Sequence, residues 1–255
     1  MTSKRNWTRE ELILAFNLYC KIPFGQIHIR NPKIIELAHL IGRTPSAVSW
    51  KLANFARLDP EIQARGLSGA AHGSKKEQEV WDEFNHDWET LSFESEMIGA
   101  RVRNKQIEDT FELEDIQLPE YGIERETFVK VRVNQRFFRA TVLAAYHNQC
   151  CITGLNVISL LNASHIVPWS HDPKNRVNPR NGLCLNALHD RAFDRGLITV
   201  TEDYKVKISP EIKYMENAAI KDHLIKYENL AIMLPDRFLP DQKLLGYHRR
   251  HIFQP

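Results

Sequence analysis

The chain has 255 residues, 43% of them hydrophobic and 26% charged, which reads as a globular protein with room for two or three modules. No apolar run approaches the roughly 18 residues of a membrane span, the opening MTSKRNWTREEL has no secretory h-region, and four cysteines give no disulfide framework, so a reducing cytoplasm is expected. The net charge of +2 conceals an asymmetry: residues 1–65 carry +5, 66–130 carry −9, 131–200 carry +5 and the remainder +1. A polyanion would meet the first and third segments, because neutralising phosphates with Lys and Arg releases counterions.

Thr8 and Glu11 have the spacing of a capping box, and Leu12, Ala15, Phe16 and Tyr19 follow at helical intervals. Asn31-Pro32 opens a second helix, with Ile34, Leu37, Ala38 and Ile41 on one face and Gly42 as its stop. Thr44-Pro45 opens a third, with Val48, Leu52 and Phe55 inward. The opposite face then presents Ser46, Trp50, Asn54 and Arg57, with Lys51 and Arg43 near its edge. The pattern resembles a helix-turn-helix or Myb-like module over residues 1–65. That resemblance implies nucleic-acid contact by Arg43, Ser46, Trp50, Lys51 and Arg57, while Trp50 suits packing within the protein equally well.

Gly66 to Gly73 is a small-residue stretch that reads as a linker and a domain boundary. Ser74 to about Ile98 is acidic, with Val80, Trp81, Phe84 and Trp88 at near-helical spacing. It is read as one amphipathic helix, either a solvated connector or an element that restrains the protein. Residues 107–126 read as a variable connection, and Thr127 to Tyr146 as a helix leading into the next motif.

Ile158 to Val167 reads as a strand with His165 near its end, before Pro168. Pro168 to Arg180 is polar with two prolines and predicts a surface loop. Gly182 to Leu185 reads as the returning strand. Asn186 is the expected N-cap of a helix over Ala187 to Asp194, with Gly196 as its C′ residue.

Cys150, Thr153-Gly154, Ser164-His165-Ile166, Pro168-Trp169, Asn181-Gly182-Leu183, Leu188-His189, Phe193-Asp194 and Gly196 together resemble the HNH, or ββα-metal, endonucleases. The resemblance implies that His165 is the general base for water attacking a phosphodiester. It implies that His189 holds a divalent cation and that Asn181 ties the loop and orients His165. Mg²⁺ is the expected ion, with Mn²⁺ as an alternative. Arg176, Arg180, Arg191 and Arg195 are expected to hold phosphates.

Two departures stand out. Ser164 replaces an acidic or histidine ligand common in the family, so either one side chain suffices or Asp190 or Asp194 contributes. Asp194 is preferred as the second metal residue, with a capping or ion-pairing role as its alternative. Thr153, Asn186 and Leu188 stand where zinc knuckles would need cysteines, so no structural zinc is expected, and Cys151 and Cys184 read as small buried residues.

Downstream, Tyr204 to Ile208 reads as a strand, Asn217 to Lys226 as helical, and Tyr247 to Phe253 as a basic, aromatic cluster packing on the motif. The expected fold is α+β and mostly helical: a trihelical bundle over 1–65, an acidic helical connector over 66–126, and a ββα-metal nuclease domain with a C-terminal extension over 127–255. The expected function is metal-dependent hydrolysis of DNA in restriction or defence. A non-catalytic DNA-binding regulator and a nuclease switched by a partner are the alternatives. A homodimer is plausible, because cutting both strands asks for two centres.

Overall fold

The computed structural model describes residues 5–66, 73–107, 109 and 123–255, with the backbone alone at 123–125. The protein is mostly helical with two small antiparallel sheets. It divides into two compact units, Met1–Phe137 and Phe138–Pro255.

In the first unit, α1 spans Arg9–Cys20, α2 Pro32–Leu40, α3 Pro45–Leu58 and the short α4 Pro60–Ala64. The local chemistry acts as the sequence suggests. The Glu11 amide donates to Thr8 Oγ1 at 3.2 Å and the Thr8 amide to Glu11 Oε2 at 2.9 Å, closing the capping box. Asn31 and Thr44 cap α2 and α3, each followed by Pro at N1, where no helical N–H is lost.

The middle segment forms two helices where the sequence suggested one: α5, Lys75–Phe84, and α6, Trp88–Val102. Asp87 causes the break, because its carboxylate takes the Thr90 amide at 3.1 Å and caps a new helix. These helices are core elements and not a solvated connector. Phe16 of α1 lies 4.9 Å from Phe55, 5.2 Å from Trp81 and 6.4 Å from Trp88, ring centre to ring centre. The aromatic stripe on α5 and α6 needed a partner, and α1 supplies it. A boundary at 65/66 therefore cuts through one hydrophobic core. The linker reading at 67–72 and most of the connection at 107–126 lie outside the described residues.

α5 also changes the outward face of α3. Val48, Leu52 and Phe55 point inward as expected, but Lys51 and Asn54 are buried too, at 8% and 3% exposure. Lys51 is ion-paired with the fully buried Glu77, which also accepts from Asn54 Nδ2 at 2.9 Å. Arg57 is half-buried beside Gly73. Arg43 donates to Glu11 at 2.8 Å and to the Asn6 carbonyl at 2.9 Å, and its guanidinium lies 4.2 Å from the centre of the Trp7 ring. Lys51 and Arg43 are thus tied into the unit instead of standing free on a groove-facing surface. Ser46 and Trp50 stay exposed.

α7 spans Ile123–Ala145, and its residues up to Phe137 belong to the first unit. In the second unit, β1, Leu161–His165, pairs antiparallel with β2, Gly182–Asn186, so that His165 faces Gly182 and Ser164 faces Leu183. The strand is shorter than the sequence suggested because a 3₁₀ turn takes Ile158–Leu160. A Cβ at position 182 would collide with Val142 and lie 3.0 Å from Phe138, so glycine there lets β2 approach the end of α7. α8, Ala187–Asp194, begins at the Asn186 cap and ends before Gly196, whose φ of +69° is a left-handed cap.

β3, Ile198–Val200, pairs with β4, Val206–Ile208; α9, Pro210–Lys213, α10, Ala218–His223, and α11, Gln242–His251, complete the unit. α11 packs on the motif as expected. His248 is 1% exposed, stacks on Phe193 with ring centres 3.7 Å apart, and bonds the Phe193 carbonyl at 3.0 Å and Thr199 Oγ1 at 2.8 Å.

Burial, reinforced by Arg249 and only partly offset by the Phe193 carbonyl, pushes the His248 pKa down from 6.5 to about 4. A base with a depressed folded pKa takes up its proton on unfolding anywhere between those values. Its stabilising contribution is therefore complete above pH 6.5 and is lost as the pH falls toward about 4. We expect unfolding followed by circular dichroism to grow easier across that window, and His248→Gln to remove about one proton from the linkage. A slope identical in the variant would contradict this assignment.

Candidate active site

His165 ends β1 and is fixed on three sides. Its ring stacks on Phe138 at 3.9 Å and 7°, and meets Trp169 edge-on at 5.6 Å. Its Nε2 lies 2.9 Å from the Arg176 carbonyl oxygen. A carbonyl only accepts, so Nε2 carries the proton and the neutral ring keeps a bare Nδ1. Burial lowers the His165 pKa from its ordinary value, and the Arg176 bond opposes this in part. The imidazole therefore stays neutral, and able to accept a proton, at physiological pH.

The loop that supplies this carbonyl is tied down by Asn181, which is fully buried. Its Oδ1 accepts the Val167 amide at 2.8 Å, and its Nδ2 lies 3.1 Å from the carbonyls of both Val167 and Asn175. The expectation that Asn181 orients His165 through its own amide is corrected accordingly. It acts at one remove, by fixing the residue before Arg176. It is a positioning residue.

His165 and Ser164 line an open cleft whose other wall is α8, with Asp190, Arg191, Asp194 and Arg195. Positions 190 and 194 are one helical turn apart, so both carboxylates share a face. Asp190 accepts from Asn162 Nδ2 at 2.6 Å. Burial and then the neighbouring Asp190 raise the Asp194 carboxyl to about 6, against the pull of Arg191 and Arg195. Ser164 Oγ is buried in the wall with no hydrogen-bond partner.

His189, expected to hold the metal, is not among the residues that line this cleft, and its Nε2 is buried without a hydrogen-bond partner. The apolar face of α8, with Ala192 and Phe193, turns it inward to 3% exposure. Asn186 Oδ1 lies 3.0 Å from its Nδ1, and Tyr227 meets its ring edge-on at 5.3 Å. Burial, and then His223 and Lys226, push its pKa down to about 4. Asp190, one residue on, lines the cleft with His165 and acts on its ring electrostatically. The sequence signal for it was the phase of the helix: once Phe193 is inward, 190 and 194 fall on the adjoining face.

The donor set fits a divalent cation of the hard, oxygen-seeking kind. Two carboxylates share one face of an open cleft, and desolvation together with the neighbouring Asp190 raises the Asp194 pKa, a cost that a cation would relieve. Among the described residues no group of three or more His, Cys, Asp or Glu is gathered. Mg²⁺ keeps several waters and needs only one or two carboxylates besides phosphate oxygens.

The arginines divide. Arg191 and Arg195 are exposed and border the cleft. Arg176 instead donates to the Trp169 carbonyl at 2.8 Å and lies over its ring, and Arg180 reaches toward the Leu239 carbonyl at 3.5 Å. These two brace the loop and do not line the cleft. Phe138 was not singled out from the sequence, because nothing local marks an α7 residue as the stacking partner of a histidine 27 positions later.

Residues 150–201, which contain both strands and α8, match the family model of the HNH endonucleases. That is a family of nucleases that act on DNA, generally with a divalent metal ion. No curated protein matches the chain. No helix among the described residues is long and apolar enough to cross a membrane.

Asn181→Ala would strip three buried backbone groups of their partner, at about 1–3 kcal/mol each. We expect the Val167 amide to exchange rapidly with solvent deuterium in the variant and slowly in the wild type. Equal protection in both would show that the loop holds without Asn181.

Proposed function

We propose that the protein is a metal-dependent endonuclease that hydrolyses phosphodiester bonds in DNA, with His165 as general base. The observation that carries this reading is the bare Nδ1 of a neutral, buried-edge imidazole in one cleft with two carboxylates and two exposed arginines. His165 Nδ1 takes a proton from water as the oxygen bonds to phosphorus and one P–O ester bond breaks. Asp190 and Asp194 would hold the divalent cation, which when bound neutralises charge on the scissile phosphate and its leaving oxygen. Mg²⁺ is the ion we assign, with Mn²⁺ as a substitute. Arg191 and Arg195 hold flanking phosphates and position the backbone without reading sequence. Restriction or defence is the role we propose for such an activity, and a homodimer would place two centres on one duplex.

The test is cutting of supercoiled plasmid with Mg²⁺ or Mn²⁺ against EDTA. A positioned base contributes about 10²–10⁴-fold, so His165→Ala should cost at least about 10²-fold at matched folding. Asp190→Asn should raise the metal concentration needed for cutting. Folded wild type that cuts nothing with either ion would favour a non-catalytic DNA-binding scaffold, and full activity in His165→Ala would remove the base.

A further inference from the structure

The first unit carries a second cleft of a different kind. Its walls come from three places: the arm at Arg5 and Trp7, the turn at Arg43 and Thr44, and the start of α5 at Ser74, Lys75 and Lys76. The cleft measures about 1450 Å³, more than the 300–1,000 Å³ typical of small-ligand pockets, and suits a section of a polymer.

Its charge is one-sided. Arg5, Arg43, Lys51, Lys75 and Lys76 border it, and no acidic residue does among the described residues. Behind the wall, Glu11 is shared by Arg5 and Arg43, and Glu77 takes Lys51, which leaves three positive charges in excess. Lys75 and Lys76 are exposed, and the contact of Lys75 with Glu79, at 3.7 Å with side chains 92% and 59% exposed, is of the solvated kind that contributes little.

Two helix N-termini open on the same cleft, α3 at Thr44 and α5 at Ser74, and each adds the positive end of its dipole. Basic side chains and helix N-termini are the groups that bind phosphate oxygens. The alternative, insertion of α3 into a groove, is closed where α5 buries Lys51 and Asn54. Exposed Trp50 lies one turn along α3 from Ala47, which borders the cleft, and offers an aromatic face beside it.

We infer that this cleft grips the phosphate backbone of duplex DNA and is a second contact of the chain with its substrate. The choice of DNA as the polyanion rests on the endonuclease reading; the cleft, its charge and its helix ends do not. Arg5, Lys75 and Lys76 carry the contact. Arg43 and Trp7 shape the cleft, since the stacked guanidinium is also tied to the backbone of the arm.

The experiment is fluorescence anisotropy of a labelled duplex with the full-length His165→Ala protein in EDTA, titrated at several salt concentrations. Each phosphate contact adds about 0.9 to the slope of log affinity against log salt, so Lys75→Ala with Lys76→Ala should flatten the slope by roughly two and weaken binding. Arg5→Ala should flatten it by roughly one more. Both lysines are exposed, so the variant keeps its fold, which circular dichroism checks. An unchanged slope and affinity would overturn the proposal, as would tighter binding of a duplex RNA of equal length. Cutting is not read here, so the endonuclease reading can fail without this one, and this one without it.

Discussion

The hydrogen bond from His165 Nε2 to the Arg176 carbonyl fixes which imidazole nitrogen is bare, and the loop, the strand and the end of α7 around it hold that bond in place. Asn181 holds the loop so that the carbonyl is in place. Phe138 covers one face of the ring, and Gly182 lets the strand opposite His165 come close to α7. The Arg176 guanidinium, freed from any duty in the cleft, braces Trp169 at the ring's edge. Each element would be an ordinary packing detail alone. Together they leave one bare ring nitrogen on a residue that lines the same cleft as Asp190, Arg191, Asp194 and Arg195.

The first unit depends on a different constraint, the burial of Glu77. A carboxylate with no exposure is costly unless it is paired and hydrogen-bonded, and Lys51, Asn54 and the Ser74 amide meet that demand. The same interactions dock α5 on α3, place the start of α5 beside the start of α3, and so bring two helix N-termini to one cleft. A residue set that looked like a groove-reading face is spent on assembly, and the basic surface moves to the helix ends.

Much of this was legible because it is local. Thr8, Asn31, Thr44 and Asn186 cap the helices they were expected to cap, since a cap needs only a side chain and an amide two or three residues on. His165 at a strand end before Pro168, and the buried Asn181 in the loop, were also visible in the order of residues. What was not legible is what depends on neighbours distant in sequence. Lys51 and Asn54 are polar residues on an outward face until α5 covers them. His189 and Asp190 differ by one position, about 100° on a helix, and only the inward turn of Phe193 decides which of them sees the cleft. The aromatic stripe of Trp81, Phe84 and Trp88 announced that it needed a partner without naming α1.

The central claim is that His165 is held neutral with its proton on Nε2 and its Nδ1 bare. The direct measurement is a nitrogen-15 NMR correlation of the His165 ring in the metal-free protein near neutral pH. The account predicts a protonated Nε2, an unprotonated Nδ1, and a titration midpoint below the ordinary value of 6.5. A proton on Nδ1, or a ring still charged at neutral pH, would contradict it, because Nδ1 could then take nothing from water.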